Sequence, residues 1–501
     1  MQQHIDGRQQ CGGIDGFPMT PYKDLDCASL QTLSTLFTDH LMTGTGQPDN
    51  WISSEVDLVP KIATAAQLEL TKIRLITRSV VQQKIFEKVM VSRAEVQIAS
   101  KNKGGAFMAN QLGSQRSVRG TEPLFLLRLA VERVRVFGRP LYVAKVDTKA
   151  AFDTITISSL DRGMRVKGVE QCERYALISG CINDYCRLRL QQAYSAPLKR
   201  CRGIKQGGPA SMALFCWSFD TAISANILRW QSKQMGFHLA DQLTVTNIQM
   251  ADDFYVLADN WLSFTTMLQD LESTLEDGAG MLMSGKKFAW ACNVEEAQDR
   301  SIELKCGSFP HTECIESLGT SLHIAGVMWP EVDRRIAKGW RCFFSISSLL
   351  MHPQAHLQGR LRLLASTVRQ SMIYGLECAT LHQADVRRLN FVYNTMVAKM
   401  MMIKQGDNEP WLDWHIRTLR CARRALHYSP SRCVAHAIYR AQWKFGQYLV
   451  LAARVKHQRV APLVMTLDNI KIYRSQRLSD HMDAFYHGRG RQVRFEEALQ
   501  R

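Results

Sequence analysis

The sequence predicts an α+β fold in which short antiparallel strands are flanked by helices. Residues 141–147 and 248–257 alternate apolar and polar side chains and carry acids where the alternation ends or turns, as strands do. Residues 121–137 and 261–275 repeat apolar side chains at helical spacing. A chain of 501 residues with 46% hydrophobic content can bury a sizeable core and is long enough for two to four domains or one multi-lobed enzyme.

Two neighbouring acids, Asp252 and Asp253, stand between apolar residues on both sides. The flanking alternation predicts two short strands with the acids at the turn between them. A buried carboxylate is costly unless a metal or a base offsets its charge, and two adjacent carboxylates repel each other. A divalent cation would relieve both costs, whereas a solvated pair of turn acids is the alternative for this segment alone. Upstream, a predicted buried strand over 141–146 places Asp147 at its end.

A loop rich in glycine, Gly203 to Ser211, lies between the two acidic segments, and the apolar run 212–215 begins a helix after it. With D-T-K-A-A-F-D at 147–153, G-I-K-Q-G-G-P-A-S at 203–211 and A-D-D at 251–253, the chain resembles reverse transcriptases. Their motifs read D-x-x-x-A-F-D, G-x-x-Q-G-x-P-x-S and A-D-D in the same order. The A-F-D and Q-G-x-P-x-S forms are similar to those of non-LTR (LINE-type) retrotransposon polymerases, and the resemblance extends over about residues 12–425.

The resemblance implies a right-hand polymerase with an antiparallel palm sheet flanked by helices and a helical C-terminal region. The expected segments are a lead-in at 1–50, fingers at 51–140, palm at 141–329, helical thumb at 330–425 and a basic extension of unknown role at 426–501. Since the chain begins about where such a polymerase would begin, we expect a reverse transcriptase domain without its upstream endonuclease.

The implied catalytic centre consists of three carboxylates and one lysine. Asp147, Asp252 and Asp253 would bind two Mg²⁺ ions, with Mn²⁺ as a possible substitute, which together promote attack of a primer 3′-hydroxyl on a nucleotide. Lys287 matches a further family motif, with Lys286 as the alternative. A lysine there can protonate the departing pyrophosphate.

Other site residues follow from the same resemblance. Lys61 and Arg74 would meet the nucleotide triphosphate, since phosphate is bound by fixed cations. Phe152 would lie under the sugar and exclude a ribose 2′-hydroxyl, although an A-F sequence after a strand could equally place a phenylalanine in the core. The nucleotide would also contact Gln206 and Gly207, and the nucleic acid would contact Met250, Ser211, Leu318 and Gly319.

Several local expectations concern the segments around these motifs. Residues 102–120 are polar and rich in glycine, which predicts a mobile loop, and contain Gln111-Leu112-Gly113, similar to a family Q-x-G. Asp153 is expected to cap a helix beginning near Thr154, and residues 161–192 are expected to be helical. Residues 357–372 are expected to form one helix that faces a duplex with its arginines, which are Arg360, Arg362 and Arg369.

Charge and composition bear on partners and location. The net charge of +17 favours a polyanionic partner, which we expect to be an RNA template, a DNA primer or target DNA, with deoxynucleoside triphosphates as substrates. No apolar run approaches the roughly 20 residues that span a bilayer, and residues 1–6 lack the apolar core of a signal peptide. We therefore expect an intracellular protein, nuclear or cytoplasmic, without a membrane partner. The 14 cysteines are spread singly, which favours reduced thiols over a zinc site at Cys306, His311 and Cys314.

Three alternatives remain open at this point. The chain resembles the family imperfectly, because Met250 replaces the usual aromatic residue and Leu75 replaces a usual proline. A catalytically silent relic that still binds nucleic acid, a group II intron maturase and an RNA-dependent RNA polymerase are the alternatives. Phe152 argues against the last, since an aromatic residue under the sugar would obstruct ribonucleotides.

Overall fold

The computed structural model describes residues 14–17, 20–43, 47–48, 51, 53–60, 73–101, 111–115, 118–182, 184–190, 192–240, 243–429 and 433–455. The helices are α1 (Thr20–Lys23), α2 (Cys27–Met42), α3 (Val81–Lys101), α4 (Glu122–Phe137), α5 (Ala151–Thr154), α6 (Ile157–Val166), α7 (Gln171–Ile182), α8 (Ser211–Ser232), α9 (Trp261–Thr274), α10 (Glu295–Gln298), α11 (Trp329–Ser345), α12 (Ser347–Leu350), α13 (Leu357–Ser366), α14 (Val368–Ile373), α15 (Gln383–Met401), α16 (Trp411–His427) and α17 (Val434–Val455). The strands are β1 (Ser53–Pro60), β2 (Ile73–Arg78), β3 (Tyr142–Val146), β4 (Tyr185–Leu190), β5 (Ala193–Tyr194), β6 (Leu198–Lys199), β7 (Phe237–Ala240), β8 (Leu243–Val245), β9 (Asn247–Met250), β10 (Asp253–Ala258), β11 (Ala289–Cys292), β12 (Ser301–Leu304), β13 (Gly307–Pro310), β14 (Cys314–Ser317) and β15 (Thr320–His323).

A four-stranded antiparallel sheet in the order β11-β3-β10-β9 organises the molecule. Successive residues of a strand point to opposite faces. Phe254 and Val256 of β10 therefore pack with α8 and α9, whereas Tyr255 and Leu257 pack with α4 on the other face. This sheet between helical layers confirms the predicted α+β fold.

A second sheet of five strands has the order β2-β1-β4-β5, with β6 also paired to β4. Strand β1 is antiparallel to β2 and parallel to β4. The helical prediction for residues 161–192 is therefore wrong at Tyr185–Leu190, although α7 occupies Gln171–Ile182. Arg187 and Arg189 alternate with Cys186 and Leu188, which is a strand pattern. The strand forms by pairing in parallel with β1, which is remote from it in sequence.

The helices from α11 onward surround an apolar cluster of their own, which contains Leu361, Leu364, Val368 and Met372 as predicted. The prediction of one helix over 357–372 is wrong, because α13 ends and α14 begins around Thr367, whose backbone torsions depart from the helical values (φ −112°, ψ −73°). The apolar spacing continues across this break, so the pattern alone did not reveal it.

The helix α17, within the extension to which the sequence assigns no role, docks onto α4. Phe445 packs edge-on against Phe125 with ring centroids 5.5 Å apart, and the Tyr448 hydroxyl donates to Glu122. The guanidinium of Arg119 lies over the Tyr448 ring at 4.2 Å. This helix therefore stabilises the helix that covers one face of the central sheet. Among helices of the described residues, none combines the length and apolar character needed to cross a bilayer.

Candidate active site

The register of the central sheet brings the predicted acids to one end of two neighbouring strands. Phe254 pairs with Val146, so the next residues outward on the two strands are Asp253 and Asp147. Strands β9 and β10 form a hairpin in which Asp253 pairs with Met250, and Ala251 and Asp252 form the turn. The prediction of two strands with the acids at their turn is thus confirmed.

Two lysines neutralise two of the three carboxylates. The Lys287 Nζ atom lies 3.0 Å from Oδ2 and 3.1 Å from Oδ1 of Asp147. The Asp147 side chain is only 8% exposed, whereas that of Lys287 is 65% exposed and reaches in from solvent. The Nζ atom of Lys145 lies 3.3 Å from Oδ1 of Asp253 and also donates to the carbonyl of Glu316 at 3.0 Å.

Asp252 occupies the most unfavourable electrostatic position of the three acids. Burial raises the pKa of its carboxyl group, and the negative charges of Asp253 and then Asp147 raise it further. In the described ranges, no three His, Cys, Asp or Glu side chains converge as a ready-made metal site. The donor set nevertheless fits a hard divalent cation, because it consists of carboxylate oxygens alone. The ammonium groups of Lys287 and Lys145, which pair with two of these carboxylates, show that the site attracts positive charge.

Lys145 was missed by the sequence reasoning, although a signal was present. It is a lysine inside an otherwise apolar strand, two residues before Asp147 and therefore on the same face. Burying a charged residue in such a strand costs free energy unless an opposite charge pairs with it. The acidic hairpin supplies that charge.

The glycine-rich loop closes against the segment that follows Asp147. A Cβ at Gly203 (φ +81°) would lie 2.7 Å from the carbonyl oxygens of Phe152 and Asp153, so the close approach requires glycine there. The Gln206 Nε2 atom donates to Oδ2 of Asp153 at 3.0 Å. The expected helix cap at Asp153 is therefore wrong, since Thr156 caps α6 instead by accepting from the amide of Ser159.

The same loop is tied to the five-stranded sheet and to α8. The Thr77 amide of β2 donates to the carbonyl of Gln206 at 2.7 Å, and Gly207 (φ +100°) lies next to it, exposed. Ser211 is buried at the first position of α8, and its hydroxyl donates to the carbonyl of Lys205. Its predicted contact with nucleic acid stays a prediction.

A buried ionic cluster beneath the loop was also missed. The Asp184 carboxylate is fully buried and lies 2.8 Å from Nε of Arg200 and 3.2 Å from Nζ of Lys205. It also accepts from the hydroxyl of Ser54 at 2.7 Å, which joins β1 to the loop. These residues are remote in sequence and show no local pattern, so only the folded structure brings them together.

The nucleotide-binding predictions lie on three elements. The half-buried Phe152 ring stacks on the buried Phe215 ring, with centroids 4.8 Å apart and planes 20° apart. Arg74 lies exposed on β2, across from Val59 of β1. Lys61 lies outside the described residues.

Leu318 and Gly319 form the turn between β14 and β15, both with positive φ. The Tyr374 hydroxyl donates to the Leu318 carbonyl at 3.1 Å, and Arg335 donates to the Gly319 carbonyl at 2.6 Å. The turn is therefore fixed to α11 and to the chain after α14. Met250 is half-buried at the end of β9, beside the acidic turn.

Comparison with known proteins decides the family. The sequence profile described as "Reverse transcriptase (RNA-dependent DNA polymerase)" matches residues 59–322, more than half of the chain. The chain belongs to the reverse transcriptase family. Its relatives include the Pol polyprotein of the type-1 retrotransposable element R2 from Nasonia vitripennis, 22% identical over 300 residues, or 60% of this chain and 27% of that protein.

A second R2 Pol polyprotein, from Popillia japonica, is 23% identical over 300 residues, which are 59% of this chain and 38% of the relative. This reverse transcriptase thus corresponds to well under half the length of these relatives. The R2 matches confirm the predicted non-LTR type. A solved apo telomerase from Candida Tropicalis aligns with a TM-score of 0.39 and 13% identity, covering 60% of this chain and 59% of that one.

Proposed function

We propose that this chain is the RNA-directed DNA polymerase of a non-LTR retrotransposon. In this proposal it copies an RNA template by adding deoxynucleotides to the 3′-hydroxyl of a DNA primer or of target DNA inside the cell. The observation that carries the proposal is the register that places Asp147 and Asp253 side by side, with Asp252 at the adjoining turn.

Reverse transcriptases use divalent metal ions, and the three acids are the side chains that would hold two Mg²⁺ ions here, with Mn²⁺ as a possible substitute. Such a pair of ions, when bound, lowers the pKa of the attacking hydroxyl and stabilises the charge that develops on the pyrophosphate. The raised pKa of Asp252 supports this assignment, because a cation would offset the repulsion from Asp253 and Asp147 that raises it.

Lys287 has two roles in the proposal. Without a metal, its ammonium neutralises Asp147, as the two short Nζ–oxygen distances indicate. Its long, exposed side chain can leave that carboxylate when another cation arrives. The Nζ atom can then donate its proton to the departing pyrophosphate, which is general-acid catalysis.

Phe152 selects the sugar in the proposal. Its ring is backed by the buried ring of Phe215, which itself stacks on Phe219. Since packed aromatic rings cannot recede without opening the core, the Phe152 ring would clash with a ribose 2′-hydroxyl. Gln206 and Gly207, in the glycine-rich loop that contacts Asp153 and Thr77, would meet the nucleotide.

The remaining assignments are proposed on the same basis. Lys61 and Arg74 would bind the triphosphate, and Met250, Ser211 and the Leu318–Gly319 turn would contact primer or template. Segment 51–140 would be the fingers, 141–329 the palm and 330–425 the thumb. The net charge of +17 supports a nucleic-acid partner.

Primer extension on an RNA template with Mg²⁺ tests the proposal, with deoxynucleotides and ribonucleotides in separate reactions. Extension with deoxynucleotides supports it. Extension with ribonucleotides alone would assign the chain to the RNA polymerases, and template binding without extension would assign it to the silent relics.

A further inference from the structure

A buried glutamine far from the acids in sequence reaches the turn that carries them. We infer that Gln111 is a positioning residue, which fixes the backbone of the Ala251-Asp252 turn and so sets where the Asp252 carboxylate points. The inference rests on the proposed polymerase function, because it concerns how the metal-binding acids are held.

The contacts of Gln111 are specific and fully buried. Its Nε2 atom donates to Oε1 of Gln249 at 3.0 Å, and its Oε1 atom accepts from the amides of Gly113 at 2.8 Å and Ala251 at 3.2 Å. The Leu112 amide donates to the carbonyl of Gln249 at 2.9 Å. Gln111 to Gly113 therefore lie along the outer edge of β9, the edge strand of the central sheet.

The turn itself needs such support. Ala251 has φ +57°, a left-handed conformation that a side chain disfavours and that glycine usually supplies in a tight hairpin turn. Such strained positions persist only when their surroundings over-determine them. The Oε1 atom of Gln111 holds the amide of the strained residue, and Asp252 follows it directly.

The fit between the two segments leaves no free space. A Cβ at Gly113 would lie 2.5 Å from the amide nitrogen of Ala251. Any side chain at residue 113 must therefore displace the turn or the segment. A contact this close transmits a shift in residues 111–113 to the acidic turn.

Loss of Gln111 should weaken the site without removing a carboxylate. Partners that orient metal ligands typically change metal affinity or activity by about 10- to 100-fold when they are mutated. We expect Gln111→Ala to raise the Mn²⁺ dissociation constant and to lower the rate of nucleotide incorporation by that factor. Binding of the template–primer duplex should stay as in the unmodified protein.

The test measures Mn²⁺ binding by electron paramagnetic resonance without nucleic acid, thermal unfolding, and single-nucleotide incorporation. Gln83→Ala is the matched control. Gln83 lies on α3, is equally buried, and donates from Nε2 to Oε1 of Gln47 at 2.6 Å. Both variants should lower the melting temperature, and only Gln111→Ala should weaken Mn²⁺ binding. Should Gln111→Ala fail to fold, Gly113→Ala tests the adjoining contact, because its Cβ would displace the amide of Ala251 and with it the acidic turn.

Ala251→Gly separates positioning from a general loss of stability. With glycine at 251 the turn is no longer strained, so Gln111→Ala should cost a smaller factor in Mn²⁺ affinity than it does with alanine there. An equal factor in both backgrounds, or Mn²⁺ binding by Gln111→Ala as tight as in the unmodified protein, overturns the inference.

The two proposals fail in different ways. If the unmodified protein extends no primer but its Mn²⁺ binding depends on Gln111 as described, the polymerase function fails and the positioning role stands. If extension occurs and the Mn²⁺ affinity is the same in Gln111→Ala as in the unmodified protein, only the positioning role fails. If the unmodified protein binds no Mn²⁺, both fail.

Discussion

Replacing Lys287 by methionine should move metal binding and turnover in opposite directions. The substitution keeps the length of the side chain and removes the ammonium that lies 3.0 Å and 3.1 Å from the two Asp147 oxygens. A cation entering the site would then no longer compete with that ammonium. Turnover, in contrast, would lose its general acid.

The magnitudes follow from exposure and from chemistry. Because the Lys287 side chain is 65% exposed, its ion pair contributes at most about 1 kcal/mol, so the half-saturating Mg²⁺ concentration should fall by no more than about fivefold. General-acid catalysis contributes about 10²- to 10⁴-fold, so the maximal rate should fall by at least about 10²-fold.

Single-nucleotide incorporation in a rapid-quench instrument, repeated over a range of Mg²⁺ concentrations, measures both quantities. Lys286→Met is the matched control, since Lys286 is the neighbour in the same short turn and should change neither value. A maximal rate for Lys287→Met equal to that of the unmodified protein would refute the general-acid role. A raised half-saturating Mg²⁺ concentration would refute the competition.

Three further predictions concern nucleotide choice and stability. Phe152→Ala should raise ribonucleotide kcat/KM relative to deoxynucleotide by about tenfold or more, measured by competitive incorporation, and an unchanged ratio would remove the gate. Asp184→Asn should cost about 3–5 kcal/mol in urea unfolding, since it removes the buried carboxylate that pairs with both Arg200 and Lys205. Asp161→Asn, from a partly exposed ion pair, should cost less than about 1 kcal/mol. Gly163→Ala should lower the free energy of unfolding by about 1–3 kcal/mol, because its Cβ would lie 2.6 Å from a Cα atom of α8. Gly359→Ala, whose Cβ would have nothing within 4 Å, should be neutral or stabilising. Equal values for the two variants would contradict the close packing of Gly163 against α8.

Local patterns predicted the elements that carry the acids. Alternation of apolar residues around Asp252 and Asp253 specifies a hairpin, and a strand that buries both faces specifies where Asp147 emerges. The order of the three motifs then predicted the family. These features depend on neighbours within a few residues, which a sequence displays directly.

Contacts between remote segments could not be predicted in the same way. Gln111 meets Gln249 across 138 residues, and Ser54 meets Asp184 across 130. A polar glycine-rich stretch such as 102–120 predicts mobility, yet Gln111 at its centre is fully buried. Only the partner on the other segment explains why a glutamine is stable there.

Some errors arose where two explanations fit one pattern. Residues with a strand alternation and several arginines, at Tyr185–Leu190, also fit the exposed face of a helix, and only pairing with β1 decides between them. Arg360 was expected to face a duplex, but its guanidinium donates to the carbonyls of Leu350 and Met400 at 3.1 Å and 2.9 Å. An arginine next to an apolar stripe can either face a duplex or donate to carbonyl groups within the protein, and the sequence pattern is the same in both cases.

The most direct test of the central claim compares Asp252→Asn with Asp259→Asn on an RNA template annealed to a DNA primer. Asp259 lies just beyond the other end of β10, where its carboxylate pairs with His238 at 2.6 Å. Template–primer affinity is measured by fluorescence anisotropy and incorporation by single turnover with deoxynucleotides. We expect equal affinity for the unmodified protein and both variants, a rate lowered by about 10²- to 10³-fold or more in Asp252→Asn, and an unchanged rate in Asp259→Asn. Incorporation by Asp252→Asn at the rate of the unmodified protein would contradict it.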